Sequence, residues 1–399
     1  MNNKKLGIAI VGLGGAVGTT MVAGIELLKK GVIDKTGLPL ANLDENLIAD
    51  LAAYENIVFG GWDLFGEHLG RAAEEHDVLT YKQFVAVEED LRKIKPWRAI
   101  ENKDFLANIE GENKFSQNIS RRETIEKIRK DLREFKKSCD ETVLINLAST
   151  EKLADEGNDI FNSIAGFEKA LDENAKEISP AILYAYAALA EQIPYGNFTP
   201  SVAADIPALI EFAEKKQVPI AGKDGKTGQT FIKTVIAPAL KTRALKVEGW
   251  YSTNILGNRD GLALSNEDSL ASKRKTKGSV LDDILGYKVE DHLVDIRYYR
   301  PRKDNKEAWD NIDIRGFLGQ PMQLKINFLC KDSILAAPLA IEIARLLDLA
   351  KRRESFGVQE QLSVFFKLPM TRGKDATPEH ALHRQEEMLL DWLNQNAVR

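Results

Sequence analysis

The sequence predicts an α/β fold in which a parallel sheet with helical crossovers is joined by a second, inserted unit. Short apolar segments alternate with helical segments over roughly the first 240 residues, a pattern typical of parallel sheets. Beyond that point, longer segments alternate apolar and polar residues, as in a sheet with one covered face. No linker rich in Pro, Gly or Ser separates the two parts, so we expect the second unit to pack on the first.

The first part begins with a short apolar strand, a glycine turn and a helix. Its predicted elements are a strand at Leu6–Val11, a turn at Gly12–Gly18, a helix at Thr19–Lys30, a strand at Ile57–Phe59 followed by Gly60-Gly61-Trp62-Asp63, charged helices over residues 67–140, a strand at Thr142–Leu147, an alanine-rich helix after Ser179-Pro180, a loop at Pro194–Pro200, and a helix and strand over residues 211–220. The second part has strands at Val247–Thr253, Asp291–Tyr299 and Met322–Leu329, and amphipathic helices at Leu335–Leu349 and Glu379–Asn394.

The composition is that of a folded protein with a slightly acidic balance. Of 399 residues, 44% are apolar and 29% charged, which excludes disordered, collagen-like and low-complexity chains. The 55 Lys and Arg against 60 Asp and Glu give a formal net charge of −5, which argues against a nucleic-acid partner. A local lysine cluster can still bind an anionic substrate within such a total.

Cysteines, histidines and hydropathy exclude several other classes. Two cysteines, Cys139 and Cys330, cannot build a disulfide framework, which favours a cytoplasmic setting. None of the five histidines belongs to an HExxH pattern, so we interpret them as surface or structural residues. Residues 6–25 are uncharged and approach the length of a membrane span, but their many glycines favour a strand, turn and helix. We therefore expect no membrane partner.

The glycine turn GLGGAVG has the sequence context of a dinucleotide site. It follows a strand and opens a helix, so backbone N–H groups can approach a pyrophosphate; a purely structural turn is the alternative. The contacts would come from Gly12, Gly14, Gly15, Ala16, Val17 and Gly18. Asp63, at the end of the second strand, is the candidate for the ribose hydroxyls, and its charge favours NAD over NADP.

Three polar segments of the chain are candidates for chemistry. Residues 272–279 read SKRKTKGS and place Lys273 and Lys277 before a helix, which suits a phosphate, although an exposed basic loop is the alternative. GKDGKTGQT at residues 222–230 and STNILGNRDG at residues 252–261 follow predicted strands and present Asp224 and Asp260. Ligands of open α/β sheets bind at such strand ends.

Together these segments resemble the myo-inositol-1-phosphate synthase family, also called inositol-3-phosphate synthases, in its compact prokaryotic form. The similarity covers nearly the whole chain, in the segments GLGGAVG, GGWD, YGNFTPS, GKDGKTGQT, STNILGNRDG, KGSVLDDIL, CKDSILAAPLAIE and FFKLPMTR. The chain departs from the family at the glycine loop, where Leu13 replaces Trp and Ala16-Val17 replace two Asn, at the shortened NLAST segment, and at YGNFTPS.

The resemblance implies conversion of D-glucose 6-phosphate to 1L-myo-inositol 1-phosphate. The reaction would proceed by NAD-dependent oxidation at C5, enolisation, intramolecular aldol cyclisation and re-reduction, so the enzyme would be a redox-neutral isomerase. The resemblance further implies a cytoplasmic homotetramer, a role in inositol and phospholipid biosynthesis, and a divalent or monovalent cation in some relatives. Two alternatives remain open: an NAD-dependent sugar-phosphate dehydrogenase with net NADH release, and a catalytically inactive NAD-binding regulator.

The resemblance also implies the site residues. The catalytic set is Lys273, Lys277, Lys306, Lys367, Asp224, Asp260 and Asp332. Lys273 and Lys367 would transfer protons at C5, Lys277 and Lys306 would hold the phosphate and the C1 oxygen, and the substrate phosphate is an alternative base at C6. Further cofactor contacts would come from Asp63, Ala148, Ser149, Asn197, Asp224 and Asp260, and substrate contacts from Lys277, Gly278, Ser279, Asn254, Lys306 and Lys367. Asp260 and Asp332 are candidate cation ligands, with the metal left unassigned.

The implied architecture is a doubly wound, Rossmann-like NAD domain with an inserted α+β domain. Residues 1–225 and 345–399 would form the NAD domain, and residues 226–344 the catalytic and tetramerisation sheet domain.

Overall fold

The computed structural model describes residues 4–107, 109–116, 118–152, 154–155, 157–257, 280–373 and 376–395. The described strands are β1 Leu6–Val11, β2 Ile57–Asp63, β3 Trp97–Arg98, β4 Glu141–Asn146, β5 Tyr195–Asn197, β6 Pro219–Gly222, β7 Lys246–Leu256, β8 Asp291–Tyr298, β9 Asn305–Arg315, β10 Pro321–Lys331 and β11 Gly357–Val358. The helices are α1 Ala16–Lys29, α2 Glu45–Ile48, α3 Leu69–His76, α4 Tyr81–Arg92, α5 Arg121–Lys136, α6 Ile164–Asp172, α7 Pro180–Ala190, α8 Pro207–Lys216, α9 Gly228–Thr242, α10 Asp332–Arg352 and α11 Leu382–Asn394. Residues 280–285 are also helical.

The larger sheet has seven strands in the order β11-β6-β5-β4-β1-β2-β3, and all its pairings are parallel. Val11 at the end of β1 lies opposite Trp62 and Asn146, and Asn146 in turn pairs with Asn197. The carboxyl ends of these strands therefore lie side by side at one edge, where open α/β sheets bind ligands.

Alternate side chains of the central strands enter two cores, one on each face of the larger sheet. Ala9 and Leu144 pack with residues of α5, α6, α7 and α8. Ile8 and Ile145 pack on the other face with residues of α1 and α10. Because both faces are covered, the central strands are apolar without interruption. This arrangement confirms the predicted α/β class with a doubly wound sheet.

The smaller sheet has four strands in the order β10-β9-β7-β8. β7 and β8 are parallel, whereas β9 pairs antiparallel with both β7 and β10. One face of this sheet, including Trp250 and Ile312, packs against Leu240 of α9 and Leu281 of the helical segment 280–285. α10 begins directly after β10 and packs Ala340 into the core of the larger sheet. The division expected at residue 345 falls inside this continuous helix.

Two strands differ from the sequence predictions for identifiable reasons. The sequence does not predict β9, because Asp310 interrupts its apolar alternation; this buried carboxylate accepts hydrogen bonds from Trp250 Nε1 at 2.8 Å and Ser252 Oγ at 2.6 Å. β2 extends beyond Phe59 through Gly60 and Gly61 to Asp63. Gly61 has a φ of +153°, and a Cβ there would overlap the carbonyl of Ile10 in β1.

Two predicted loops are partly strand. β5 lies inside the segment Pro194–Pro200, and the residues Ser252–Leu256 belong to β7 instead of following it. Asn254 therefore projects from a strand. Helix α1 also starts earlier than predicted, at Ala16. None of the helices within the described ranges combines the length and apolar character of a membrane span.

Candidate active site

The glycine turn after β1 leaves the N-terminus of α1 open toward a cleft. Gly12 has a φ of +86°, and the N–H groups of Gly12 and Leu13 both donate to the Trp62 carbonyl, at 2.9 and 3.1 Å. Gly15 is the N-cap of α1 and offers no side chain to the first-turn N–H groups. The partial positive charge at the start of this helix suits a pyrophosphate. The turn therefore fits the predicted dinucleotide.

Two glycines of α1 provide a matched test of this turn. A Cβ on Gly18 would lie 2.6 Å from the Leu13 carbonyl oxygen, whereas one on Gly24 would meet nothing within 4 Å. We expect Gly18→Ala to weaken NAD binding roughly tenfold or more, because the turn must open to relieve the overlap. Gly24→Ala should leave binding unchanged and stabilise the helix by about 0.5–1 kcal/mol. Fluorescence titration with NAD and urea unfolding of both variants check these expectations; wild-type binding by Gly18→Ala would contradict them.

Gly14 is held between an acid and an imidazole. Its N–H donates to Asp63 Oδ2 at 2.8 Å, and the other carboxylate oxygen of Asp63 accepts from the Phe65 N–H at 3.1 Å. The carbonyl of Gly14 lies 2.8 Å from His76 Nε2. Asp63 and His76 line the cleft together with Gly12, Gly15, Ala16, Val17 and Gly18. The sequence signal for Asp63 is its strand end, whereas nothing in the sequence distinguishes His76.

The loops after β4 and β5 form the wall of the cleft farther from Asp63. Ala148 and Ser149 line it directly. Asn146 Oδ1 accepts from the Ala148 N–H at 3.1 Å and thereby fixes this loop. Asn197 is buried and donates to the Ser201 carbonyl at 2.7 Å, while the following residues, including Thr199, face the cleft. Asn197 is a predicted cofactor contact, but its side chain shapes the loop behind the wall of the cleft.

Lys367 and Asp224 form a buried ion pair at the end of the cleft. Nζ of Lys367 lies 2.6 Å from Oδ1 of Asp224, and the two residues are 6% and 3% exposed. Asp224 follows β6 and has a φ of +60°. The N–H of Lys367 donates to the Asp224 carbonyl at 2.7 Å, so the backbone also holds the two residues together. A buried charge pair costs desolvation energy and is well placed to act on charge that develops in a substrate.

Lys306 and Asp332 form a second ion pair beside the first. Nζ of Lys306 lies 3.1 Å from Oδ1 of Asp332, and that oxygen also accepts from Thr227 Oγ1 at 3.3 Å. Thr227, Asp332 and Lys367 line both the dinucleotide cleft and a smaller cavity next to it. The structure therefore brings together four of the predicted residues, from the loop after β6, from β9, from α10 and from the segment after β11.

The smaller cavity lies at the N-terminus of α9. Gln229, Thr230, Asn254 and Lys306 line it. Thr227 is the N-cap of α9, and its side chain makes no cap hydrogen bond, so within the described part of the chain it leaves the first-turn N–H groups available to an anion. A Cβ on Gly228 would lie 3.1 Å from Lys306 Nζ, which places the ammonium over the first turn of the helix.

Asn254 enters this cavity from β7. Its amide donates to Gln229 Oε1, and Gln229 Nε2 donates to the Thr253 carbonyl at 2.9 Å. The remaining predicted residues, Lys273, Lys277, Gly278, Ser279 and Asp260, lie outside the described residues.

Glu151 is a buried carboxyl group in the cleft that the sequence analysis does not single out. Its Oε1 accepts from the Ala181 N–H in the first turn of α7 at 3.0 Å. Burial raises the pKa of Glu151 to about 7. No sequence motif marks Glu151, because its surroundings are assembled from residues distant in the chain.

The raised pKa predicts a pH-dependent stability that Glu151→Gln removes. Because the folded-state pKa is above the unfolded value, the neutral acid stabilises the fold fully below pH 4.5, and this contribution is lost as the pH rises through about 7. The unfolding free energy of the wild type should therefore fall, relative to that of Glu151→Gln, by on the order of 3 kcal/mol between these pH values. Chemical unfolding of both proteins across this range measures the difference; parallel curves would refute the assignment.

Comparison with known proteins gives consistent matches. A family model described as myo-inositol-1-phosphate synthase matches residues 6–394. The chain is 44% identical to inositol-3-phosphate synthase 1 of Bacteroides thetaiotaomicron, over 96% of this chain and 94% of that protein. It is 31% identical to the inositol-3-phosphate synthase of Dictyostelium discoideum, over 96% of this chain and 83% of that protein.

Two solved structures have the same fold over almost the whole chain. Inositol-3-phosphate synthase of Caenorhabditis elegans superposes with a TM-score of 0.91 at 26% identity, covering 99% of this chain and 86% of that one. A myo-inositol-1-phosphate synthase-related protein of Thermotoga maritima superposes with a TM-score of 0.81 at 26% identity, covering 98% of both chains.

Proposed function

This chain belongs to the myo-inositol-1-phosphate synthase family, and from that premise we propose which of its residues perform each part of the reaction. The enzyme converts glucose 6-phosphate to inositol 1-phosphate. The conversion would proceed by oxidation at C5, enolisation, aldol cyclisation and re-reduction, with no net redox change. One observation supports the assignment most strongly: Lys367 and Asp332 line both the dinucleotide cleft and the adjoining cavity. A sugar held in that cavity would lie against the cofactor.

The cofactor would be held by the glycine turn and the loops after β2 and β4. Bound NAD supplies the hydride acceptor and donor that C5 requires. The first turn of α1 would bind the diphosphate, Asp63 would bind the ribose hydroxyls, and Ala148 and Ser149 would contact the nicotinamide side. The Asp63 carboxylate, only 8% exposed, would repel a 2′-phosphate, which favours NAD.

Lys367 and Asp224 would act at C5. Oxidation there requires that the hydroxyl loses its proton, and re-reduction requires that the proton returns. With Nζ of Lys367 2.6 Å from Asp224, the ammonium can pass a proton to the carboxylate, and the neutral amine that results can take the proton of the C5 hydroxyl. The same ammonium would stabilise the C5 oxygen as negative charge develops during enolisation. Lys273 would assist in this role by family resemblance.

Lys306 and the N-terminus of α9 would bind the phosphate, and Asp332 would orient Lys306. The first-turn N–H groups of Gly228, Gln229 and Thr230, which Thr227 does not cap, and the ammonium above them would suit a phosphoryl dianion. Asn254, which lines the same cavity, would hold a sugar hydroxyl. By family resemblance, Lys277 with Gly278 and Ser279 would complete the phosphate site and polarise the C1 oxygen.

A cation requirement stays a proposal. Within the described part of the chain, no group of three His, Cys, Asp or Glu is arranged to hold a metal. A divalent or monovalent ion would use Asp332 and Asp260, with water or the phosphate completing its shell.

We also propose a cytoplasmic homotetramer whose product supplies inositol for phospholipids. The free thiols of Cys139 and Cys330 favour a reducing compartment. Assembly is supported by the face of the smaller sheet that points away from α9, where Leu293, Trp309 and Leu329 are 58%, 36% and 62% exposed. Light scattering would measure the assembly.

A single assay separates the proposed reaction from the two alternatives. Glucose 6-phosphate is incubated with the protein and NAD at a concentration far below that of the sugar, and both inositol phosphate and absorbance at 340 nm are followed. The proposed reaction predicts many equivalents of inositol phosphate and no lasting absorbance. A dehydrogenase would convert the limiting NAD to NADH and then stop, so absorbance at 340 nm would persist without inositol phosphate, and an inactive regulator would form neither product.

A further inference from the structure

One lysine connects the substrate side of the site with the dinucleotide side. Lys331 is the last residue of β10 and directly precedes Asp332. Its Nζ donates to the carbonyls of Asp77 and Val78, at 2.7 and 2.8 Å. Those carbonyls belong to the carboxyl end of α3 and the residue after it. The strand that positions Asp332 is therefore bonded to a segment of the larger sheet's domain.

The bonded segment reaches the glycine turn within one residue. His76, the last residue of α3, places Nε2 2.8 Å from the Gly14 carbonyl. The N–H of Gly14 donates to Asp63 at 2.8 Å. Residues 76–78 thus contact the glycine turn on one side and Lys331 on the other. The path from Asp332 to the turn runs through its covalent neighbour Lys331, the hydrogen bond to Asp77, the adjacent His76 and its contact with Gly14.

The geometry of this segment makes Lys331 well suited to fix it. Asp77 adopts a left-handed conformation, with a φ of +54°, and its N–H caps α3 by donating to the Ala73 carbonyl. An ammonium at a helix carboxyl end satisfies carbonyls that lack partners within the helix and opposes the helix dipole. Because the bonds of Lys331 go to backbone carbonyls, they set the position of residues 76–78 directly.

A second lysine reaches the same residue but only from solvent. Lys303 Nζ lies 2.9 Å from Asp77 Oδ2, with the two side chains 63% and 60% exposed. Exposed ion pairs of this kind contribute little to structure. Lys303 therefore provides a matched control: it has the same charge and the same partner residue, but it makes no bond to the backbone of residues 76–78 among those described.

We propose that Lys331 and His76 act as positioning residues that hold the dinucleotide in its site while Asp332 and Lys306 engage the sugar. The inference rests on the proposed function, in which the hydride removed from C5 must be returned by the same bound cofactor. If the cofactor dissociated between oxidation and re-reduction, the sugar would remain oxidised at C5. Lys331 bonds to the segment that carries His76, and His76 contacts the glycine turn. These bonds make cofactor retention depend on the part of the site that holds the substrate.

The test measures cofactor binding separately from turnover. The dissociation constant of NAD and the dissociation rate of NADH are measured by fluorescence, with and without glucose 6-phosphate, for the wild type, Lys331→Ala, Lys331→Arg and Lys303→Ala. We expect Lys331→Ala to weaken retention about tenfold in the presence of the sugar, as expected for the loss of charge-assisted hydrogen bonds. Lys331→Arg should recover to within about twofold, because its guanidinium can donate to both carbonyls, and Lys303→Ala should match the wild type. During turnover, only Lys331→Ala should release NADH.

The inference would be overturned if a folded Lys331→Ala variant retained the cofactor as well as the wild type does. It would also be overturned if Lys331→Ala and Lys303→Ala weakened cofactor retention equally. If Lys331→Ala does not fold, as judged by circular dichroism, His76→Ala carries the same expectation. The proposed function and the coupling through Lys331 can be refuted separately. Absence of inositol phosphate from the wild type would refute the proposed function, whereas unchanged cofactor retention in the variants would refute only this coupling.

Discussion

Lys367→Met is expected to lower kcat by roughly 10³-fold, the range associated with loss of a proton-transfer group that also stabilises developing charge. The Lys367 ammonium is buried against Asp224 at 2.6 Å and faces both the dinucleotide cleft and the substrate cavity. Methionine keeps much of the side-chain length without the charge. KM should change little by comparison. Steady-state formation of inositol phosphate measures both constants.

Lys223 supplies the matched control for this loss. Its Nζ lies 2.5 Å from Asp205 Oδ2, with side chains 11% and 14% exposed, and neither residue lines the two cavities. Lys223→Met and Lys367→Met each break a buried ion pair, so both should cost stability. Only Lys367→Met should lower kcat by the factor given above. Adding Asp224→Asn to Lys367→Met should recover stability but not activity. A kcat within tenfold of the wild type for Lys367→Met would contradict the proposed role.

Lys306→Ala is expected to lower kcat/KM for glucose 6-phosphate by roughly 10²-fold, as for the loss of a charge-assisted hydrogen bond to an anion. The physical reason is its place above the first turn of α9, close to Gly228 and paired with Asp332. Because the lost contact is to the phosphate, the preference for glucose 6-phosphate over glucose should fall by a similar factor. Kinetics with both sugars measure that ratio.

Lys325→Ala controls for the removal of one positive charge from the neighbouring strand, five residues from the partner of Lys306. Lys325 lies exposed on β10, the strand that pairs with the Lys306 strand β9. It should leave both constants unchanged. If Lys306→Ala lowered kcat/KM equally for glucose and glucose 6-phosphate, Lys306 would not bind the phosphate.

The parts of the fold that the sequence predicts correctly are those specified by local pattern. β1, the turn and α1 follow from an apolar run ended by Gly12 and a helix that needs no side-chain cap. Asp63 is recognisable at its strand end although the strand comes late. β9 is missed because its buried face includes Asp310, whose partners Trp250 and Ser252 are about 60 residues away in the chain. The burial of Asp310 is explained only by the packing of β7 beside β9, because Asp310 finds its hydrogen-bond donors there.

The candidate site shows the same limit more strongly. Family resemblance supplies Lys367 and Asp224, but not their pairing, which joins residues 143 positions apart. It also supplies Lys306, but not the open first turn of α9 beneath it. Neither Glu151 nor His76 carries a sequence signal, because the function of each depends on what surrounds it. Burial gives Glu151 its raised pKa, and its contact with Gly14 gives His76 its place.

The central claim is that one bound cofactor removes and returns hydrogen at C5 within a single site. Glucose 6-phosphate deuterated at C5 tests this most directly, with excess unlabelled NADH in solution and the product examined by mass spectrometry and NMR. The proposed account predicts that inositol phosphate retains the deuterium on the carbon that carried it, with none in the soluble NADH. Deuterium in the soluble cofactor, with ordinary hydrogen in its place in the product, would contradict it.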